Sequence, residues 1–208
     1  MDPKRFRAPY ILRERIWQEA DGLRAKFASG AKIPVNVLDM AEFDLGLEIV
    51  PADGLRERCD TEALLLGDLK TILVDKRSFT SPKQEYRLRY SVAHELGHYI
   101  LHSEVYGQIC PPSAEAWFEF ISNIPDDQYS WLESHAYEFA GRLLVPPDAL
   151  VTSLREAMKM AENAGFKDWK NDPDMSRDFL GTYMSKAFNV SAEVVSKRLR
   201  IEKLWPPS

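Results

Sequence analysis

The spacing of apolar residues predicts a chain that is mostly helical, with a few short strands in its first half. Helical periodicity recurs between residues that typically start or stop helices, such as serine, asparagine, glycine and proline. The predicted helices cover residues 10–27, 37–45, 81–101, 114–121, 123–144, 150–164, 176–188 and 191–204. Strand-like runs at 47–50, 63–66 and 71–74 predict a small antiparallel sheet, whose last two strands form a hairpin. The expected fold class is therefore α+β.

The segments between these elements are predicted to be loops at residues 54–62, 107–113 and 167–173. At 208 residues, the chain is long enough for one domain with a small appendage. We expect a main domain over residues 1–165, with an N-terminal packing helix, and a helical appendage over 166–208 that packs on the same domain.

The predicted helix over residues 81–101 carries a pair of histidines. Ser81 and Gln84 flank this helix start as in a capping box. His94 and His98 are four residues apart, so their imidazoles lie on one face, one turn apart, with Glu95 beside them. Catalytic zinc takes three protein ligands and a water, whose proton a nearby glutamate can remove. The spacing therefore predicts a zinc hydrolase with Glu95 as general base; the alternative is a pair of packed or surface histidines.

The third zinc ligand is expected on the helix predicted over residues 123–144. Glu133 stands at the N-terminal end of a stripe of small residues that begins at Ala136. Small residues allow a neighbouring helix to approach closely, so the Glu133 carboxylate is predicted to reach a zinc ion held by the histidine helix. His135 and Glu138 are the competing candidates, because histidine and glutamate are both good zinc ligands.

Four further side chains near the histidine pair are candidates for stabilising the oxyanion of a hydrolytic transition state. They are His102, Tyr99, Tyr106 and Tyr137. His102 lies one turn beyond His98, and its more ordinary role is that of a packed or hydrogen-bonded histidine. The longer motif H-E-x-x-H-x-x-G-x-x-H is excluded, because positions 101 and 104 hold leucine and glutamate.

Cys110 follows the histidine helix on a segment rich in proline. A thiolate binds zinc strongly, so Cys110 is a candidate inhibitory fourth ligand that would occupy the water position until the loop moved or the thiol was oxidised. The alternative is a structural or exposed cysteine.

The charge of the chain changes the list of expected partners. A net charge of −5 provides no overall electrostatic basis for binding nucleic acid or an anionic membrane. Residues 1–7 are charged and lead into no long apolar run, so we expect neither a secretion signal nor a membrane span. The predicted location is the cytosol, where Cys59 and Cys110 are expected to be reduced thiols.

The last two predicted helices and the predicted hairpin each suggest a binding surface. The helices are joined as in a helix-turn-helix, and the second has a basic face formed by Lys197, Arg198, Arg200 and Lys203. Specific DNA binding is the weaker interpretation, since most such helix pairs simply pack. The hairpin at 63–74 precedes the histidine helix, and its edge could hold a peptide as an added strand, unless the protein itself covers that edge.

Three motifs in the middle of the chain resemble one known family. Residues 71–74 read T-I-L-V, residues 93–102 match A-H-E-L-G-H-x-x-L-H, and residues 133–146 match E-x-x-A-x-x-F-A-x-x-L-L-x-P. Together they resemble the ImmA/IrrE family of zinc metallopeptidases. The chain differs from the family at His135, where an acidic or amide residue is frequent, and at Tyr137, where asparagine or aspartate is frequent.

The resemblance implies a zincin-like metallopeptidase with one zinc ion held by His94, His98 and Glu133, and with Glu95 as general base. It also implies a protein substrate, a DNA-binding helix-turn-helix repressor, cleaved in the bacterial cytosol to relieve repression in a stress, phage-defence or mobile-element response. The rival interpretation is a non-proteolytic regulator that keeps the zinc fold and binds protein or nucleic acid.

Overall fold

The computed structural model describes residues 2–27, 32–109, 113–166 and 172–205. The helices are α1 (Arg13–Phe27), α2 (Val37–Asp39), α3 (Leu55–Cys59), α4 (Lys76–Thr80), α5 (Glu85–Leu101), α6 (Ser103–Ile109), α7 (Ala114–Ile121), α8 (Asp126–Leu144), α9 (Pro147–Asn163), α10 (Pro173–Phe188) and α11 (Ala192–Ile201). The strands are β1 (Glu48–Ala52), β2 (Ala63–Leu65) and β3 (Thr71–Asp75). This architecture confirms the predicted α+β class, with a small sheet ahead of the long histidine helix α5.

The sheet has the order β1-β3-β2, with β3 in the centre. Strands β2 and β3 pair antiparallel and confirm the predicted hairpin. Strand β1 pairs parallel with β3, so the sheet is mixed rather than purely antiparallel as predicted. A tight turn forces its two strands to be antiparallel, whereas β1 reaches the sheet through a longer connection and is free of that constraint. That connection contains α3, so the loop predicted over 54–62 is partly helical.

An asparagine caps the start of helix α2. The Asn36 side chain accepts a hydrogen bond from the Asp39 N–H at 3.4 Å, as an N-cap does. Helix α2 then continues as a π-helical turn over Met40–Asp44. Gly46 follows with φ of +68°, a backbone conformation that glycine adopts at little cost and that ends the helix.

Helix α5 begins later than its sequence suggests, because the predicted capping box does not form. The Ser81 side chain makes no capping hydrogen bond, and Pro82–Gln84 is a 3-10 turn. The Gln84 side chain instead accepts a hydrogen bond from the Ser78 hydroxyl at 3.0 Å. This contact with α4 removes the side chain that a capping box requires, and the α-helical geometry starts at Glu85.

The segment after α5 is also more helical than predicted. Helix α6 occupies the start of the predicted 107–113 linker, and residues 110–112 lie outside the described part of the chain. The helix is held by Tyr106, which is buried against the rings of His98 and Trp117. Burial of a large aromatic side chain outweighs the weak helix propensity of the surrounding residues.

The C-terminal helices α10 and α11 form the predicted pair. Asn189 joins them in a left-handed conformation, with φ of +51°, and the Ser191 hydroxyl caps α11 by accepting from the Val194 N–H. A Cβ atom on Gly181 would lie 2.6 Å from the Ser196 hydroxyl, so this glycine permits the close packing of the pair. The division at residues 165 and 166 stays a prediction.

One large cluster of buried apolar side chains runs through the molecule, from α1 across the sheet and α5 to α11. Helix α8 lies in its centre, between α5 on one side and α1 on another. Within the described residues, no helix is long and apolar enough to cross a bilayer.

Candidate metal centre

The candidate metal centre lies where α5 and α8 come closest together. A Cβ atom on Gly97 would lie 3.0 Å from the Ala136 Cα and 3.2 Å from its carbonyl oxygen. No side chain fits there, because both contacts are with backbone. The contact of Gly97 with Ala136 therefore sets the distance between the two helices. This close approach is the one predicted from the stripe of small residues on α8.

Three side chains converge at this crossing, each with one donor atom. His94 Nε2 and His98 Nε2 are 3.1 Å apart. The Glu133 carboxylate completes the group, with Oε2 at 3.2 Å from His94 Nε2 and Oε1 at 3.4 Å from His98 Nε2. The structure thus brings together the three residues that the sequence predicted as metal ligands, and this group could hold a metal ion.

The donor set fits zinc in both chemistry and spacing. Nitrogen and oxygen ligands bind zinc at 2.0–2.2 Å, so two of them in tetrahedral geometry lie about 3.3 Å apart. The three separations in this group are 3.1, 3.2 and 3.4 Å. Two imidazole nitrogens facing each other and a carboxylate offer lone pairs to a common point, which a cation stabilises.

The protonation of these groups reflects the same convergence. Burial acts to raise the pKa of Glu133, but hydrogen bonds from His94 and His98 outweigh it and hold that pKa well below its ordinary value. Burial acts to lower the pKa of His98, but the Glu133 carboxylate raises it overall. The carboxylate of Glu133 is therefore ionised and available as a ligand over the whole physiological pH range.

Glu95 lies beside the ligand group and is almost fully buried. Its Oε2 accepts a hydrogen bond from the backbone N–H of Leu65 on β2 at 2.7 Å. Burial raises the pKa of Glu95, against the lowering effects of His98, His94 and the Leu65 N–H. A raised pKa suits a group that takes up a proton and later releases it near neutral pH.

A cavity of about 300 Å³ opens above the ligand group. One wall is formed by β2 and the residues before it, and the other by α7 and α8. Tyrosines line this cavity beside His94, His98, Glu95 and Glu133, namely Tyr90, Tyr106, Tyr129 and Tyr137. Tyr106 and Tyr137 were predicted as oxyanion candidates and do reach the cavity, whereas Tyr99 and His102 are not among the lining residues.

Tyr129 is a cavity residue that sequence reasoning missed. Its hydroxyl contacts Glu133, and burial together with that carboxylate raises its pKa. It stands four residues before Glu133 on α8, so the signal was the helical spacing from the predicted third ligand. Burial also raises the pKa values of Tyr106 and Tyr137, so these phenols keep their protons and can donate hydrogen bonds.

The other two residues considered as third ligands point elsewhere. His135 lies behind the site, with Nδ1 at 3.3 Å from His102 Nε2, and His102 Nδ1 is in turn 3.0 Å from His98 Nδ1. His102 therefore contacts the outer side of a predicted ligand and lies away from the cavity, a position suited to the hydrogen-bonded role rather than to that of an oxyanion donor. Glu138 is bound to Arg198 at 2.6 Å and to the Trp17 indole at 2.6 Å, on another face of α8.

The position of Arg198 also changes the predicted basic face of α11. Arg198 is 1% exposed and pairs with Glu138 and Glu202 inside the protein, so it is not available to nucleic acid. Lys197 and Arg200 on α11 are exposed, as is Lys203 just beyond it. The candidate inhibitory ligand Cys110 lies outside the described residues, and that prediction stays open.

Comparison with protein families gives an independent view of the same region. Residues 57–200 match the model of a family described as Peptidase_M78, IrrE N-terminal-like domain. The match covers more than half of the 208-residue chain and contains β2, β3, α5 and α8, which build the ligand group. A comparison with curated proteins finds no match.

Proposed function

From the premise that the chain belongs to the M78 peptidase family and is a metallopeptidase, we propose that it is a zinc-dependent endopeptidase acting on a protein substrate. Membership confirms the resemblance stated from the sequence. The observation that carries the proposal is the convergence of His94, His98 and Glu133 at the floor of a cavity, with the buried carboxylate of Glu95 beside them.

In this proposal, His94, His98 and Glu133 hold the metal and Glu95 moves the proton. A zinc ion, when bound there, supplies polarisation of the scissile carbonyl and lowers the pKa of a water. Glu95 takes the proton of the attacking water on its carboxylate and delivers it to the leaving amine. The Leu65 N–H fixes the position of that carboxylate, since it binds Oε2 at 2.7 Å.

The developing negative charge needs a hydrogen-bond donor, and two tyrosines in the cavity are suited to this role. Tyr137 is 45% exposed, and its ring lies 4.4 Å from that of His94. Tyr106 is buried on the opposite side, against the His98 ring. We propose Tyr137 as the first candidate, because an exposed side chain at the cavity mouth can move toward a bound substrate.

The substrate is proposed to lie along the edge strand β2. Ala63 and Leu65 direct their backbone groups away from β3, toward the cavity side. The Leu65 N–H already binds Glu95, and the Ala63 carbonyl accepts a hydrogen bond from the Thr61 hydroxyl. The outward Ala63 N–H and Leu65 carbonyl are the groups that an added strand would pair with. Ala63 and Leu65 are both buried, so binding of a peptide here requires that the side chains covering this edge move aside.

We further propose that the substrate is a DNA-binding repressor with a helix-turn-helix domain, in bacterial cytosol. This part of the proposal rests on the family resemblance of residues 69–150.

A second groove, of about 460 Å³, shares Glu62, Tyr90, Ser91 and Tyr137 with the metal cavity and continues toward α11. Because it adjoins the metal cavity, we propose that it holds residues of the polypeptide beyond the scissile bond.

The direct test is cleavage of a repressor encoded beside the gene of this protein. We expect the zinc-loaded protein to cut it, and Glu95→Gln to reduce the rate by about 10²- to 10⁴-fold while still binding zinc. Glu104→Gln, at an exposed glutamate on α6, is the matched control and should cut like the wild type.

Two outcomes would contradict the proposal. If Glu95→Gln cut as fast as the wild type, Glu95 would not be the general base. If the zinc-loaded wild type and Glu95→Gln both bound the repressor equally and neither cut it, the protein would act as a non-proteolytic regulator.

A further inference from the structure

The two predicted histidine ligands have different surroundings on their outer sides. His94 Nδ1 is buried and has no hydrogen-bond partner among the described residues. His98 Nδ1 lies 3.0 Å from His102 Nδ1, and His102 Nε2 lies 3.3 Å from His135 Nδ1. Three buried imidazoles thus form one line that starts at the ligand group and leads away from the cavity, from α5 to α8.

The protons of this line have only one consistent arrangement when His98 binds a metal. A neutral imidazole carries a single N–H, so a metal on His98 Nε2 places that proton on Nδ1. His98 then donates to His102 Nδ1, which must be unprotonated. His102 consequently carries its proton on Nε2 and donates it to His135 Nδ1.

The surroundings of His135, the last histidine of the line, are compatible with this arrangement of protons. His135 Nε2 is buried and has no hydrogen-bond partner among the described residues. The surroundings of His135 Nε2 therefore do not select a tautomer of His135. The direction in which the three histidines donate their hydrogen bonds is set by the metal on His98. The reverse direction would place the His98 proton on Nε2, where a metal has to bind.

We propose that His102 and His135 are positioning residues, which hold His98 in the tautomer and ring orientation that bind the metal. The inference rests on the metal site of the proposed function and adds two residues that touch neither metal nor substrate. His102 acts directly by accepting from His98, and His135 acts through His102. Partners of this kind typically contribute about 10- to 100-fold to metal affinity.

Paired substitutions separate this role from simple packing. His102→Leu fills the space but accepts no hydrogen bond, whereas the carbonyl oxygen of His102→Asn stands close to the position of Nδ1. We expect His102→Leu to weaken zinc binding by about 10- to 100-fold, measured by competition with a chelator, and His102→Asn to recover most of it. His135→Leu and His135→Asn should give the same pattern with a smaller amplitude, because the second contact is longer.

The tautomers themselves can be read in the unmodified protein. In zinc-loaded, ¹⁵N-labelled wild type, long-range ¹H–¹⁵N correlations should place the His98 proton on Nδ1 and the protons of His102 and His135 on Nε2. A proton on His102 Nδ1 would overturn the inference. Wild-type zinc affinity in a folded His102→Leu variant would do the same.

These results are distinguishable from a failure of the proposed function. A protein that binds zinc with the expected tautomers but cuts no peptide bond would remove the peptidase proposal and leave the positioning role intact. A protein that cuts its substrate and keeps full zinc affinity without His102 would do the opposite.

Discussion

Helix α8 carries two partly buried carboxylates, Glu133 and Glu138, whose surroundings differ in kind. Five residues on a helix correspond to a rotation of about 140°, so the two side chains leave α8 on different faces. Glu133 faces the nitrogens of His94 and His98 at 3.2 and 3.4 Å. Glu138 faces the guanidinium of Arg198 at 2.6 Å.

The cluster around Glu138 contains its own cations. Arg198 is shared between Glu138 and Glu202, and Arg142 pairs with Glu202 at 2.8 Å and with Asp21 at 2.6 Å. Each carboxylate in this cluster meets a guanidinium, as buried charges must. The indole of Trp17 covers both arginines, at 4.7 and 5.7 Å from the ring centre.

Among the described residues, Glu133 pairs with the two histidines and not with an arginine. The donor atoms of this cluster are a carboxylate and two imidazole nitrogens that face each other at 3.1 Å. A buried set of lone pairs directed at a common point is stabilised by a cation that binds there. The comparison shows that the role of a buried glutamate depends on the charge and hydrogen-bonding character of the groups that face it, and not on the residue type alone.

The largest expected effect comes from exchanging the two acids separately for their amides. We expect Glu133→Gln to lose bound zinc almost completely, because loss of a direct ligand costs more than the roughly 10- to 100-fold seen for outer partners. Glu138→Gln should retain one zinc per chain. Metal analysis of both proteins after dialysis gives the answer, and full zinc occupancy in Glu133→Gln would contradict the ligand assignment.

Arg198→Met should break the other cluster. The substitution leaves Glu138 and Glu202 buried without their shared cation, and we expect a loss of about 3–5 kcal/mol in the free energy of unfolding. Urea denaturation of the metal-free protein measures it. Adding Glu138→Gln to this variant should restore part of the stability; no recovery would mean that the two side chains are not coupled.

Gly97→Ala tests the helix crossing that brings the three predicted metal ligands together. The new Cβ atom would meet the Ala136 backbone at 3.0 Å, so we expect a destabilisation of about 1–3 kcal/mol and weaker zinc binding as α5 and α8 separate. Gly107→Ala is the matched control, because its Cβ atom would meet no described residue within 4 Å and alanine favours a helix by up to about 1 kcal/mol. Equal stability of the two variants would contradict the tight crossing.

The smallest expected effect is a dependence of stability on pH. Burial acts to raise the pKa of Glu138, but Arg198 and the Trp17 indole lower it below the ordinary value of 4.5. A lowered pKa in the folded state means that Glu138 stabilises the protein above about pH 4.5, and that this contribution is lost as the pH falls through the folded pKa. The stability difference between wild type and Glu138→Gln, measured without metal, should therefore shrink below pH 4.5. A difference that stayed constant to pH 3 would contradict this.

Several parts of the site could be predicted because they depend on local spacing. His94 and His98 share a face on any helix that contains them, and Glu133 lies at the end of a stripe of small residues, whatever α8 packs against. The same local rules correctly gave the hairpin and the helical C-terminal pair.

The predictions that failed depend on contacts between distant segments. The capping box at Ser81 fails because the Gln84 side chain accepts a hydrogen bond from the Ser78 hydroxyl, and the sequence alone does not show that contact. Arg198 reads as part of a basic face in sequence, and only its position beside Glu138, sixty residues away, shows that it is buried. The parallel pairing of β1 likewise depends on the path of the chain through α3.

The sequence by itself determined which residues could bind a metal, because ligand chemistry and helical period are properties of the residues and of the local backbone. Tertiary structure decided how each of them is used. It chose Glu133 over His135 and Glu138, placed the Leu65 N–H on Glu95, and aligned His102 and His135 behind His98. The physical reason is that a hydrogen bond or an ion pair is fixed by the group that faces a side chain, and in this protein those groups come from segments far apart along the chain.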